Sequence, residues 1–216
     1  MQRDYRSITL FNNVTPVAVT SSTDATPIVV TATAHGFNTG DRVLIYGHTT
    51  NVAANGIFKV TRLSSSTFSL QDEILGTDVG GSGGGAGASG LCLKAPPIVY
   101  IKDYRNIILQ FGTSGTSTLT VKVAGSLGKP SSSTVFDNVM PNFGATVSPS
   151  NPYSFLQIIN LDTAATVNGA TGIAASGADI NNMYEVNINA MTYFTLVPTA
   201  WTQGAINAVL LVANNI

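Results

Sequence analysis

Apolar and polar residues alternate at every second position over short runs along this chain, and no window of helical length keeps a 3.6-residue apolar period. In "GIFKVTRL" the residues Ile57, Lys59 and Thr61 fall on one side of an extended segment, and Phe58, Val60 and Arg62 on the other. In "YEVNINA" the split is Tyr184, Val186, Ile188 and Ala190 against Glu185, Asn187 and Asn189, which predicts a strand with one buried and one wet face. "SITLFNNV", "TPIVVTATA", "DRVLIYG" and "STFSLQ" precede a glycine-rich stretch. "PIVYIKDY", "NIILQFG", "STLTVKVAGS", "YSFLQIINL", "TYFTLVPT" and "AINAVLLVAN" follow it. Turn residues such as Asn55-Gly56 and Ser64-Ser65-Ser66 separate the runs, as between short antiparallel strands. "NIILQFG" and "STLTVKV" read as a hairpin joined by a Gly/Ser/Thr turn. The pattern predicts an all-β protein whose larger part is an antiparallel, jelly-roll-like β-sandwich.

"GTDVGGSGGGAGASG", residues 76 to 90, carries almost no side chain to pack and predicts a linker over 77–94. A phosphate-cradling loop would need a Lys followed by Ser or Thr and then a helix. Here Leu91-Cys92-Leu93-Lys94-Ala95-Pro96-Pro97 follows, and proline forbids the helix. Strand "SITLF" lacks partners in the small meander after it. It is therefore expected to pair with strands beyond residue 95, giving a sandwich from 1–23 plus 95–216 and a small barrel, 24–76, inserted in it. Two domains in tandem remain the alternative.

Composition shifts the picture toward assembly. Of 216 residues 44% are hydrophobic, enough for a core, but only 10% are charged, against about 25% in ordinary globular chains. A soluble monomer relies on charge to stay dispersed, so much of this surface is expected to be covered by copies of itself or by partners. The net charge is −1. All Lys and Arg lie between Arg3 and Lys129, and beyond Pro130 only Asp137, Asp162, Asp179 and Glu185 are charged. Such a chain is not expected to track a nucleic-acid backbone. The N-terminus lacks a secretory core, and no apolar run reaches the ~18 residues of a membrane span. Lone Cys92 reads as a small buried hydrophobe.

Candidate chemistry is sparse. Gly36-Phe37-Asn38-Thr39-Gly40 reads as a turn into "DRVLIYG", with Asp41 bonding loop amides. His35, His48 and Asp41 are the best zinc set available, set against simple loop hydrogen bonding. No nucleophile elbow accompanies the many serines. Asp162, Asp179 and Glu185 are hydrolytic candidates only by elimination. Tyr153, Phe155, Tyr184, Tyr193, Phe194 and Trp201 could form a sugar-stacking platform, although alternation favours core packing. Trp201, between "PTA" and "TQG", is a candidate partner anchor at a turn. "AVLLVA" has no polar face. Val209, Leu210, Leu211, Val212 and Ile216 are thus candidate self-association residues, unless the strand is central and covered on both sides. No cofactor or metal is expected.

His35-Gly36, Gly40-Asp41, Asn55-Gly56 and Thr67-Phe68 together resemble a small β-barrel module found in tailed-phage fibre and other virion proteins, and as a half-domain in ubiquitin-activating enzymes. "DYRNIILQFGTSGTSTLTVKVAGS" and "GATGIAASGADINNMYEVNINAMTYFTL" resemble a sandwich family among phage virion proteins. The resemblance implies no catalytic residue. It implies a non-enzymatic structural component of a virion, assembled in the host bacterial cytoplasm. In first place stands a capsid decoration or cement protein that forms homo-oligomers, expected as trimers, and contacts the major capsid protein. A tail fibre or baseplate subunit, or a carbohydrate- or receptor-binding module, is the alternative.

Overall fold

The structure, a computed structural model, describes residues 4–73, 75–83, 90–104, 106–126, 153–177, 179–188 and 191–214. The chain is all-β and antiparallel throughout its named pairings. It divides into two compact units, one drawn from Met1–Thr15, Pro96–Lys129 and Pro152–Ile216, the other built on Pro16–Ala95. The second unit begins earlier and ends later than the expected 24–76.

Strand β1 (Asp4–Val14) belongs to the first unit. The second unit holds β2 (Val17–Ala18), β3 (Ser21–Ser22), β4 (Val29–Thr31), β5 (Arg42–Tyr46), β6 (Gly56–Arg62), β7 (Thr67–Asp72) and β8 (Leu91–Lys94), in the order β2-β8-β5-β6-β7-β4-β3. One short stretch closes this sheet. Val17 and Ala18 pair with Cys92 and Leu91 at one edge, while Ser21 and Ser22 pair with Thr31 and Val30 at the other. A barrel is the arrangement in which no edge is left to template aggregation. Its core gathers Ile28, Val30, Val43, Ile45, Phe58, Val60, Phe68, Leu70 and Cys92. The alternation read in "GIFKVTRL" sends Phe58 and Val60 to that core and leaves Lys59 exposed.

Where it falls on described residues, the expected linker over 77–94 is tied into the sheet, and residues 84–89 lie outside the described residues. Leu91–Lys94 is a strand between β2 and β5, with Cys92 and Leu93 buried. Before it, the Val79 amide donates to the Leu70 carbonyl (3.1 Å), and the Val79 carbonyl accepts from the Ile28 amide (2.8 Å). Glycine here serves close approach rather than looseness. A Cβ on Gly81 would stand 2.1 Å from Asp24 Oδ1 and 2.7 Å from its Cα, contacts that only a missing side chain allows.

The first unit continues with β9 (Val99–Tyr100), β10 (Asn106–Ser126), β11 (Tyr153–Phe155), β12 (Ile158–Asn160), β13 (Thr166–Val167), β14 (Ile173–Gly177), β15 (Asn181–Val186) and β16 (Tyr193–Asn214). The hairpin expected within 107–123 is instead part of one strand of 21 residues, β10, and "TYFTLVPT" and "AINAVLLVAN" are one strand of 22 residues, β16. These two run antiparallel to each other along their whole length. β1 pairs with the C-terminal half of β16, and β15 with the N-terminal half of β10, giving one leaf. β9, β14 and β11 flank the other halves, giving a second.

Register shifts at Ser114/Thr118, Thr118/Leu119 and Thr120/Val121 mark where the ladder passes from leaf to leaf, the usual role of bulges at a sheet corner. Gly204 is placed there with φ +90°, and a Cβ on it would fall 2.4 Å from Ser117 Oγ. The Gly/Ser/Thr residues that suggested a reversal therefore mark a bend in paired strands. Phe11 of the first leaf meets Trp201 of the second edge to face, ring centroids 6.3 Å apart. Leu109, Phe111, Leu119 and Val121 of β10 and Leu210 and Val212 of β16 are buried as well. This is sandwich packing, each large apolar side chain contributing about 1.5–3 kcal/mol by its burial.

Candidate functional site

Two places in the molecule gather residues with something to offer a partner. The first is the outer face of the leaf built on β16. Residues directly opposite one another in antiparallel pairs share a face. One outward row therefore runs Ser7, Leu211, Ile108, Glu185, Ile159, and the next runs Thr9, Val209, Gln110, Met183. Met183 is 44% exposed, Ile159 39%, and nearby Leu161 45%; Ile108, Val209 and Leu211 are half-buried. The inward row carries Leu210 and Val212, both in the core.

The sequence-selected strand thus splits. Val209 and Leu211 lie on the outer face, Leu210 and Val212 face inward, and Ile216 lies outside the described residues. Trp201 corrects the expectation of a surface anchor. It is 2% exposed within β16, and its indole Nε1–H donates to the Gly204 carbonyl at 3.0 Å. The bulge at Gly204 supplies the acceptor that a buried indole needs. Sequence reasoning missed Ile108, Ile159 and Met183, because they lie on three separate strands and only cross-strand pairing puts them on one face.

The second place is one end of the inserted barrel. The chain enters this unit at Pro16 and leaves at Ala95, beside Lys94 and its partner Val43. Loops 23–27, 47–55 and 73–83 lie at the opposite end, where Leu91 pairs with Tyr46. Asn51, fully buried, ties all three together. Its Nδ2 donates to the Thr23 carbonyl (2.8 Å), and its Oδ1 accepts from both the amide and the hydroxyl of Ser82 (3.2 Å each). Asp24 Oδ1 accepts from the Gly83 amide at 2.8 Å. His48, 2% exposed, has its Nε2 hydrogen-bonded to Ser22 Oγ at 2.6 Å, while its backbone exchanges two 2.8 Å hydrogen bonds with the Asn55 side chain. Burial lowers the His48 pKa and pushes the Cys92 thiol up to about 12, because a low-dielectric site disfavours the charged form of each.

The zinc set does not assemble. No group of three or more His, Cys, Asp or Glu able to hold a metal occurs among the described residues. His35 lies in a different network, its Nδ1 accepting from the Phe37 amide at 3.0 Å. Asp41 acts as the turn residue expected of it, Oδ2 accepting from the Asn38 amide (2.8 Å) and pairing with Lys94 Nζ (2.9 Å). Gly36 and Gly40 adopt φ of 71° and 92° on either side of that turn. Asp162 Oδ2 accepts from the Met183 amide at 3.2 Å, and Glu185 is exposed on the outer face. Of the aromatics, Tyr184 and Phe194 are buried and Tyr193 packs edge to face with Tyr100. No helix among the described residues is long and apolar enough to cross a membrane.

The chain matches no known protein-family model, and no curated protein is similar to it at a significant level. What stands is the class that the architecture defines, an all-β protein of antiparallel, sandwich-like build.

Proposed function

We propose that this chain is a non-enzymatic structural component of a tailed-phage particle, a capsid decoration or cement protein that works by associating with copies of itself. One observation carries the reading: the outward rows through Leu211, Ile108 and Ile159 and through Val209 and Met183 form an apolar band across neighbouring strands. Glu185 is its one charged member. An apolar band of this kind on a chain with 10% charged residues suits an isologous or cyclic contact between identical subunits. The carboxylates support the same reading, since Asp24, Asp41, Asp72 and Asp162 each accept from a nearby backbone amide. Such groups hold loops in shape. The sequence resemblance to virion barrels and sandwiches supplies the particle; a tail fibre or baseplate subunit would use the same band.

The test is sedimentation velocity at micromolar concentration. The wild-type chain should sediment as a small oligomer, with a trimer expected. Met183→Glu combined with Leu211→Glu should sediment as a monomer, with circular dichroism unchanged. A wild-type chain that stays monomeric, alone and when mixed with purified particles, would remove the reading.

A further inference from the structure

The chain has two histidines, and both lie buried in the Pro16–Ala95 unit. His35 is 5% exposed, its ring 5.0 Å from those of Phe37 and Phe68. Its Nδ1 accepts from the Phe37 amide, and its Nε2 is buried without a hydrogen-bond partner among the described residues. His48 is 2% exposed and joins β3 to the loop 47–55 through Ser22.

The ionisable groups on the surrounding elements are placed as follows. Asp41 pairs with Lys94, and Arg42 with Glu73. Arg62 donates to the Ser64 carbonyl, and Lys59 is exposed. Asp24 accepts from Gly83, Asp72 from Leu75, and Asp78 from Gln71. Tyr46 and Cys92 are held protonated by burial. Each carboxylate in this set thus has a partner of its own.

We propose that the inserted unit is an acid-responsive element: uptake of a proton by His48 below about pH 6 opens its loop lattice, while the histidine-free unit stays folded. The sign follows from linkage. Burial holds the His48 pKa below 6.5, so the opened chain binds a proton that the closed one does not. Closure is at full strength above that value and weakens as pH falls through it, by up to about tenfold in the opening equilibrium per pH unit for this histidine.

Hydrogen exchange on the full chain at pH 7.5 and 5.0, corrected for intrinsic rates, tests this. Protection should fall at least tenfold across residues 16–95 and stay level in β10 and β16. His48→Gln, which is uncharged and can still hydrogen-bond Ser22, should blunt the fall. Should that variant not fold, imidazole titration of the wild type by NMR decides. Ring shifts moving together with amides of 16–95 support the proposal. A His48 ring titrating like free histidine with no amide response overturns it, as does equal protection at the two pH values.

Discussion

The two units solve the same problem with opposite means. The unit carrying β10 and β16 relies on length: two strands of 21 and 22 residues stay paired through a corner and align apolar rows on both leaves. The Pro16–Ala95 unit has strands of two to seven residues, and its loops are held by buried side-chain hydrogen bonds centred on Asn51 and His48. A long apolar ladder loses little when one polar group changes, because its stability is spread over many burial increments. A lattice of buried hydrogen bonds is the reverse, since losing one partner strands the others.

Phe11→Ala should produce the largest effect and confine it to the first unit. Phe11 is 2% exposed and packs on Trp201, and truncating a buried Phe costs about 3–5 kcal/mol through lost transfer energy and the cavity left behind. Trp201 is the only tryptophan, so denaturation followed by its fluorescence reports on this unit alone. A midpoint shift in fluorescence with unchanged protection in 16–95 is expected.

Asn51→Ala should do the opposite. It removes the acceptor of two Ser82 groups and the donor to the Thr23 carbonyl, a loss of about 1–3 kcal/mol when buried partners are left unpaired. Exchange should rise in residues 16–95, with the Trp201 transition in place. If fluorescence moves as far as exchange does, the units unfold together and the contrast between them fails.

How much of this was legible in the sequence also differs between the units. In the first, period-two alternation placed Tyr184 and Val186 inside and Glu185 outside, as found, because a half-buried strand must alternate. The same reasoning broke β10 and β16 into shorter strands, since a bulge and a turn recruit the same Gly, Ser and Thr residues. It also set Trp201 at a turn, when Gly204 bends a strand beside it. In the second unit the Gly36–Gly40 turn and the role of Asp41 were readable from local chemistry. Strands β2 and β3 were not: two-residue strands carry no period, and their pairing depends on residues far along the chain. Strand β8 was hidden behind a glycine-rich run in which Gly81 packs closely on Asp24 where composition suggests slack. The Asn51 lattice leaves no signal, because asparagine in "TTNVAAN" looks like any loop residue until Thr23 and Ser82 meet it.

The smallest expected effect sharpens the contrast from the exposed side. Lys94→Ala removes the ammonium 2.9 Å from Asp41, where the two side chains are 52% and 23% exposed. Solvent screens such a pair, so neutral-pH stability should fall by only about 0.2–1 kcal/mol. The pH dependence is more telling. Partial burial works to raise the Asp41 pKa, but the Asn38 amide and Lys94 outweigh it and hold the carboxyl below 3.8. A carboxylate lowered in the folded state stabilises above its unfolded value and loses that contribution as pH falls through the folded one. The Asp41 contribution is therefore intact at pH 5, where the histidine-linked loss is already under way. Lys94→Ala should leave the opening of 16–95 between pH 7.5 and 5.0 unchanged and alter only what happens below about pH 4. A Lys94→Ala chain whose barrel opens more than the wild type between pH 7.5 and 5.0 would mean that the ion pair, and not the buried His48 imidazole, sets the acid limit of this unit.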